Sequence, residues 1–202
     1  MTVQTHALGG RLPLADPDSL TVAQRQVFDA LMATLIPWSN SVPFQSTTED
    51  GRLIGPFNPA LYSPAISSKF LELQVFEETH TSLPERLRQV VTLAVGAVWG
   101  ADYELYAHSA AARKAGISED AIATLVSGGI PEDLTKDEKT AGRVAQQLCR
   151  NHRIDDALYR DAETALGTLG LVDLGALIGV YHGVCTTLTL FEVPAPAQGA
   201  RQ

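Results

Sequence analysis

Two cysteines stand in this chain of 202 residues, Cys149 and Cys185, far apart and with no CxxC between them. Both fall inside helical patterns among apolar neighbours, where a cysteine serves as a small core residue rather than a nucleophile. Such usage fits reduced thiols, so a cytoplasmic protein is expected. Other absences narrow the chemistry. There is no GxGxxG or GxxxxGK[ST], hence no signalled dinucleotide or P-loop phosphate site. No GxSxG elbow and no HExxH zinc motif occurs. Aromatic residues make up only 6% of the chain. Lysine and arginine form no cluster and the net charge is −8, which argues against nucleic acid or an anionic membrane as partner. No unbroken run of ~18 apolar residues is present, so no transmembrane helix is expected. The opening MTVQTHALGG lacks a charged segment followed by an apolar one, so no signal peptide is read there. No convincing period-two strand is found.

What remains is rich in alanine, leucine and glycine, and it is punctuated as helices. An apolar fraction of 45% over this length is enough for one domain with a real core. Thr21-Val-Ala-Gln24 is a capping box, followed by apolar residues at helical spacing from Val22 to Leu35, before Pro37. Ser63-Pro64 reads as an N-cap with proline at the first helical position, opening a helix to about Thr79. Ser82-Leu-Pro-Glu85 reads as a second capping box, with Leu83, Leu87, Val91, Ala94 and Val98 on one face behind it. After Gly100 a helix is expected from about Asp102 to Ala115, closed by Gly116. Ser118, Thr135 and Asp155 cap three more, ending near Gly128, Asn151 and Gly167. The last helix, from about Val172 to Phe191, is apolar nearly all round and is expected in the core or at a subunit interface. The fold class is all-α, with seven or eight helices.

Between Trp38 and Tyr62 the pattern lapses into Pro, Ser, Thr, Gly and Asn, including RLIGPFNPALYSP. Loops of this length are uncommon within a compact domain. It is either a lid or binding loop, or a tether. The expected division is residues 1–62, a helix and long loop packing on the main domain; 63–193, the helical domain; and 194–202, a tail that frays. Of five histidines, His6 is read in a tail segment and His152 at a helix C-terminus, where partial positive charge is favoured. His80, His108 and His182 lie near segments able to converge, which leaves a histidine-rich metal site open.

Within GADYELYAHSAAARKAGIS, Glu104 and His108 are four residues apart and so face each other on one helix. A carboxylate one turn before an imidazole accepts its N–H and fixes its tautomer. The start of a helix favours an ionised Glu104 and a neutral His108, a fitting general base or acid. A plain surface pair has the same spacing. Trp99, Tyr103 and Tyr106 crowd this start beside Ser109, Ala110, Ala111 and Ala112, and large residues beside small ones shape either a pocket or helix packing.

WGADYELYAHSAAARKAGIS resembles the carboxymuconolactone decarboxylase family, which also contains the alkyl hydroperoxidase D proteins. LPERLRQVVTLAVGAVWGADYELYAHSAAARKAGISEDAIATL is similar to its core unit, and the resemblance runs over roughly residues 50 to 195. It implies an all-α bundle assembling as a homotrimer or homohexamer. In the hydroperoxidase branch a CxxC precedes the histidine. On that alignment Ala101 and Glu104 stand at the two cysteine positions, and Gln89 stands where the family places a relay glutamate. Thiol-based peroxide reduction therefore has no residues to run on here. The resemblance implies the cysteine-less branch, with cofactor-free acid/base chemistry, decarboxylation or proton transfer, on a small lactone or enolisable acid. His108 is then the expected proton-transfer residue and Glu104 its orienting partner, with Trp99, Tyr103 and Gln89 against the substrate. Arg52, Arg86 and Arg88 are candidates for holding an acidic group. Two rivals stand beside this: a metal- or haem-dependent oxidative enzyme using His80, His108 and His182, and a non-catalytic oligomer whose pair is structural.

Overall fold

The computed structural model describes residues 7–197 and is all-α among them, with one isolated bridge between Thr47 and Leu53. His6 and the end of the expected tail, 198–202, lie outside the described residues. Nine α-helices follow in order: α1 (Val22–Ala33), α2 (Leu35–Ser41), α3 (Phe57–Ala60), α4 (Pro64–His80), α5 (Glu85–Trp99), α6 (Asp102–Lys114), α7 (Glu119–Val126), α8 (Lys136–Asn151) and α9 (Asp156–Leu190).

Most starts are made by the residues that signalled them. Thr21 and Thr135 form full capping boxes with Gln24 and Glu138. Ser118 accepts from the Ala121 N–H and Asp155 from the Leu158 N–H. Ser82 departs from its expectation. Its N–H and hydroxyl both donate to Asp173 Oδ2, at 2.7 and 2.6 Å, and the cap of α5 passes to Pro84 without a side-chain hydrogen bond. Ser63 likewise caps α4 without its hydroxyl. Pro37 does not end a helical region. It sits in the first turn of α2, where its missing N–H costs nothing. The expected boundary near Gly167 is real, as a break inside α9 where Gly167 takes φ 66° and ψ 179°.

α5 is the axis of the molecule. It is buried from Leu87 to Gly96 on every side, not along one face as the sequence spacing implied, because α6, α7, α8 and α9 all pack on it. The main core gathers Leu87, Val91, Ala94 and Val95 of α5 with Ala107 and Ala111 of α6, Ala141 and Ala145 of α8, and Leu177, Val184 and Leu188 of α9. A second cluster joins Val27, Leu31, Leu35 and Ile36 to Leu53, Phe57 and Leu61. α9 is long and apolar enough to cross a bilayer by length and composition alone. Isolated polar residues such as Asp173 and His182 kept that run from showing in the sequence.

The stretch from Val42 to Leu61 is neither free nor wholly irregular. Val42, Phe44 and Ile54 enter the main core, and α3 is helical within it. Tyr103 anchors it, donating its hydroxyl to the Gln45 carbonyl at 2.6 Å, while the Gln45 N–H donates to the Tyr106 hydroxyl at 2.9 Å. Gly55 makes the fit possible: its φ is +65°, and a Cβ there would lie 2.2 Å from Tyr103 Cε1. Gly55→Ala is therefore expected to lower the free energy of unfolding by about 2–5 kcal/mol in chemical denaturation, since backbone strain and overpacking add. Gly51→Ala, also at positive φ but with open space around it, is expected to cost only about 1–2 kcal/mol. Equal losses would mean that the Tyr103 contact does not hold the segment.

Candidate active site

The turn at Gly100 (φ 62°) sends α6 back onto α5 and places Glu104 against Gly96, where a Cβ would lie 3.3 Å from Glu104 Cγ. Glu104 and His108 are thereby buried, with 2% and 5% of their surfaces exposed, which removes the surface-pair reading. His108 packs edge-on to Tyr181 at 5.0 Å between ring centres and lies 5.9 Å from the Trp38 ring.

Hydrogen bonds fix the imidazole. Gln89 Nε2 donates to Glu85 Oε1 at 2.7 Å, and Gln89 Oε1 lies 2.8 Å from His108 Nδ1. Glu85 as a carboxylate only accepts, so the amide nitrogen of Gln89 must face it and the amide oxygen must face His108. His108 therefore carries its proton on Nδ1 and presents the Nε2 lone pair to Glu104. Glu104 Oε1 is 3.2 Å from Nε2, within ion-pair range, but no hydrogen bond of regular geometry joins them and no other group reaches that oxygen.

Burial sets the charges. It lifts the Glu104 carboxyl to about 8. It drops His108 to about 3, with the positive charge of Arg88 adding to the effect. The expectation of an ionised Glu104 is thus overturned: loss of water outweighs the field of the helix start. Near neutral pH the pair is an acid beside a base, both uncharged.

Arg88 completes the surroundings. Of the three arginines considered from sequence it alone borders the cavity at His108. It bonds Glu77 at 2.7 Å and Glu85 at 3.1 Å, while its Nε–H has no partner. Arg52 is held by Asp50 and Arg86 by Glu138, both elsewhere. The cavity itself measures about 30 Å³, and Phe44, Phe57, Gln74 and Glu78 complete its wall with the residues above. That is room for one or two waters and not for a lactone ring, so the state described is closed.

Of the three residues expected against the substrate, Tyr103 and Gln89 border this cavity and Trp99 does not. Trp99 donates its indole N–H to His182 Nδ1 at 3.2 Å and stacks edge-on against that ring at 4.8 Å. His80 is exposed and stacked on Phe76 at 4.6 Å. The three histidines of the metal reading are therefore held in three separate settings, and no cluster able to ligate a metal is found among the described residues. Cys185 is fully buried with its thiol pushed far up by burial, and Cys149 is half-buried and raised for the same reason. Trp38, Phe44, Phe57 and Tyr181 were missed from sequence because each arrives from a remote segment and looks like ordinary core.

The neutral pair leaves a trace in stability. Glu104, raised from 4.5, keeps a proton that the unfolded chain releases, so stability falls as pH rises from about 4.5 to 8. His108, lowered from 6.5, refuses a proton that the unfolded chain takes up, so stability rises from about pH 3 to 6.5. The two cancel between 4.5 and 6.5. From pH 6.5 to 8 the pair's contribution is expected to fall by up to about 2 kcal/mol in urea titrations, and Glu104→Gln is expected to remove that fall. An identical profile in the variant would place the ionised form of Glu104 in the folded protein.

The sequence profile of the carboxymuconolactone decarboxylase family matches residues 68–147. No curated protein matches the chain. Among solved structures, an uncharacterized peroxidase-related protein described as an alkylhydroperoxidase AhpD core, from Ralstonia eutropha JMP134, superposes with TM-score 0.72 at 13% identity, covering 94% of each chain. A peroxidase-related protein from Silicibacter sp. TM1040 gives 0.71 at 14%, covering 100% of this chain and 99% of that one. A variant of the debrominase Bmp8 in complex with 2,3,4-tribromopyrrole gives 0.68 at 12%, covering 89% and 94%. At such identities these structures share the fold. The matched segment contains Arg88, Gln89, Glu104 and His108, and over residues 68–147 the chain is similar to the carboxymuconolactone decarboxylase family.

Proposed function

We propose that this protein is a cofactor-free acid/base enzyme that transfers a proton to or from a carbon beside the carbonyl of a small lactone or other enolisable compound. Decarboxylation, the reaction in the family's name, is one form of that chemistry. The observation that carries the reading is a buried neutral acid, Glu104, 3.2 Å from a buried neutral base whose tautomer is fixed by Gln89. In the decarboxylating form the C–C bond to the carboxylate breaks, its electron pair enters the conjugated carbonyl as an enolate, and CO₂ leaves. Glu104 then gives its proton to carbon, with His108 Nε2 returning one to it from water. In the exchange form His108 Nε2 takes the proton and Glu104 donates to the enolate oxygen. Arg88 holds positive charge beside either enolate. The debrominase complex supports the fold as a host for a small ring, and says nothing of this chain's own substrate.

His108→Ala is expected to lower turnover by about 10²–10⁴-fold, the usual worth of positioned proton transfer. The assay is CO₂ release and deuterium uptake from D₂O by unsaturated γ-lactones, with and without a carboxyl group. The parent's kcat/KM should fall above pH about 8 as Glu104 loses its proton, and the residual activity of Glu104→Gln should lack that limb. The double variant should lose little beyond the worse single one, because both residues act on one proton. If neither substitution alters turnover while both lower the melting temperature, the pair is structural and the non-catalytic reading replaces this one.

We propose further that the chain assembles through the outer face of α9. Leu169, Val172 and Leu190 are about two-thirds exposed there, and a Cβ at Gly175 or Gly179 would meet nothing. The paired change Leu169→Glu, Val172→Glu is expected to give a monomer of 21.6 kDa in light scattering, against a trimer or hexamer for the parent. A monomeric parent would sink this proposal.

A further inference from the structure

The cavity at His108 backs onto a second, larger space. Beyond Phe57, between α3, α4 and the end of α9, lies a cavity of about 350 Å³. Pro56, Phe57, Gln74 and Val184 border both, so a partition one side chain thick separates them. The two differ in what they hold. The inner one has the titratable groups and almost no volume. The outer one falls in the range of small-molecule sites, about 300–1,000 Å³, and no charged side chain lines it. Two of its four hydroxyls are spoken for: Tyr62 donates to the Pro13 carbonyl and Thr187 to that of Gly183, which leaves those of Ser63 and Ser67. Ile66, Phe70 and Leu71 give it an apolar wall.

The inner cavity's charge balance selects a head group. Arg88 is already matched by two carboxylates, Glu77 and Glu85. A further carboxylate entering this dry space would set three negative charges against one positive, an arrangement that burial penalises heavily. A neutral carbonyl oxygen carries no such penalty. It suits the groups left without partners there, the Arg88 Nε–H and the Glu104 carboxyl, whose Oε1 nothing reaches.

We infer that the outer cavity binds the apolar chain of a ligand whose uncharged carbonyl head reaches His108 and Glu104 once Phe57 and Gln74 swing aside. The ligand class is an alkyl ketone or alkyl-substituted lactone. This rests on the inner cavity being the reactive site and, of the two forms proposed for it, on the exchange form, whose substrate brings no carboxylate; the test separates binding site from reaction by reading binding rather than turnover.

The probes are methyl ethyl, methyl butyl and methyl hexyl ketone, titrated calorimetrically into the intact protein. Affinity is expected to rise by about two- to fourfold per methylene, the gain for burying a CH₂. Octanoate, of equal length to the longest ketone but charged, is expected to bind at least about tenfold more weakly, the ratio that 1.4 kcal/mol produces. Ser67→Trp fills the outer cavity from α4 and Thr187→Trp fills it from α9; each is expected to weaken the longest ketone by about tenfold or more. Ser68→Trp, one position on and facing the groove towards α1, should leave it within twofold. Having two filling variants keeps the test alive if one does not fold. Affinity independent of chain length, or a long ketone unaffected by either filling variant, overturns the outer site; octanoate binding as well as the ketone overturns the neutral head. A rising series together with an inert His108→Ala phenotype would keep the outer site and discard the catalytic reading.

Discussion

Glu85 has no proton to give, and the candidate site depends on that. Because it can only accept, the amide of Gln89 has one orientation, the imidazole of His108 has one tautomer, and a lone pair rather than an N–H faces Glu104. Reverse the amide and its oxygen would face the Glu85 carboxylate, acceptor against acceptor, while its NH2 would donate to Nδ1 and leave the proton of His108 on Nε2. The second carboxylate oxygen of Glu85 also pairs with Arg88, so the same residue ties down the cation beside the pair. α5 supplies Glu85, Arg88 and Gln89 from a single turn, and it supplies Gly96, on which Glu104 rests. A helix buried on every side is a rigid platform, and the carboxyl–imidazole geometry inherits that rigidity.

Local chemistry was legible in the sequence; its tertiary settlement was not. Thr21, Ser118, Thr135 and Asp155 announced helix starts and make them, since a cap needs only residues within one turn. Ser82 announced one as clearly and was diverted by Asp173, which lies 91 residues away in the chain. Glu104 and His108 could be paired from spacing alone, but their protonation could not, because desolvation comes from α9, α5 and the Val42–Leu61 segment together. Three arginines looked alike in sequence, and burial singles out Arg88. Trp99 and Tyr103 both flank the start of α6, yet the αL turn at Gly100 directs one to His182 and the other into the cavity wall.

Packing also explains why an ordinary helical bundle keeps so polar a cluster inside. Arg88 and Glu77 are each nearly inaccessible, and pairs of this kind contribute little net stability compared with apolar residues of equal volume. Removing one partner, by contrast, strands the other's charge. The cluster is therefore costly to dismantle piecemeal, and the bundle around it retains a neutral acid and base at a depth where isolated charges would not persist.

The hydrogen bond from the Gln45 N–H to the Tyr106 hydroxyl ties the covering segment to the helix that carries Glu104 and His108. Its donor is a half-buried backbone amide in a stretch with few regular ladder bonds, so this bond must break whenever the segment lifts from α6. The exchange of this one hydrogen with D₂O is a clock for opening. Its rate sets an upper bound on how often any molecule enters the cavity by that route, and so on how fast this protein could turn over a substrate admitted there.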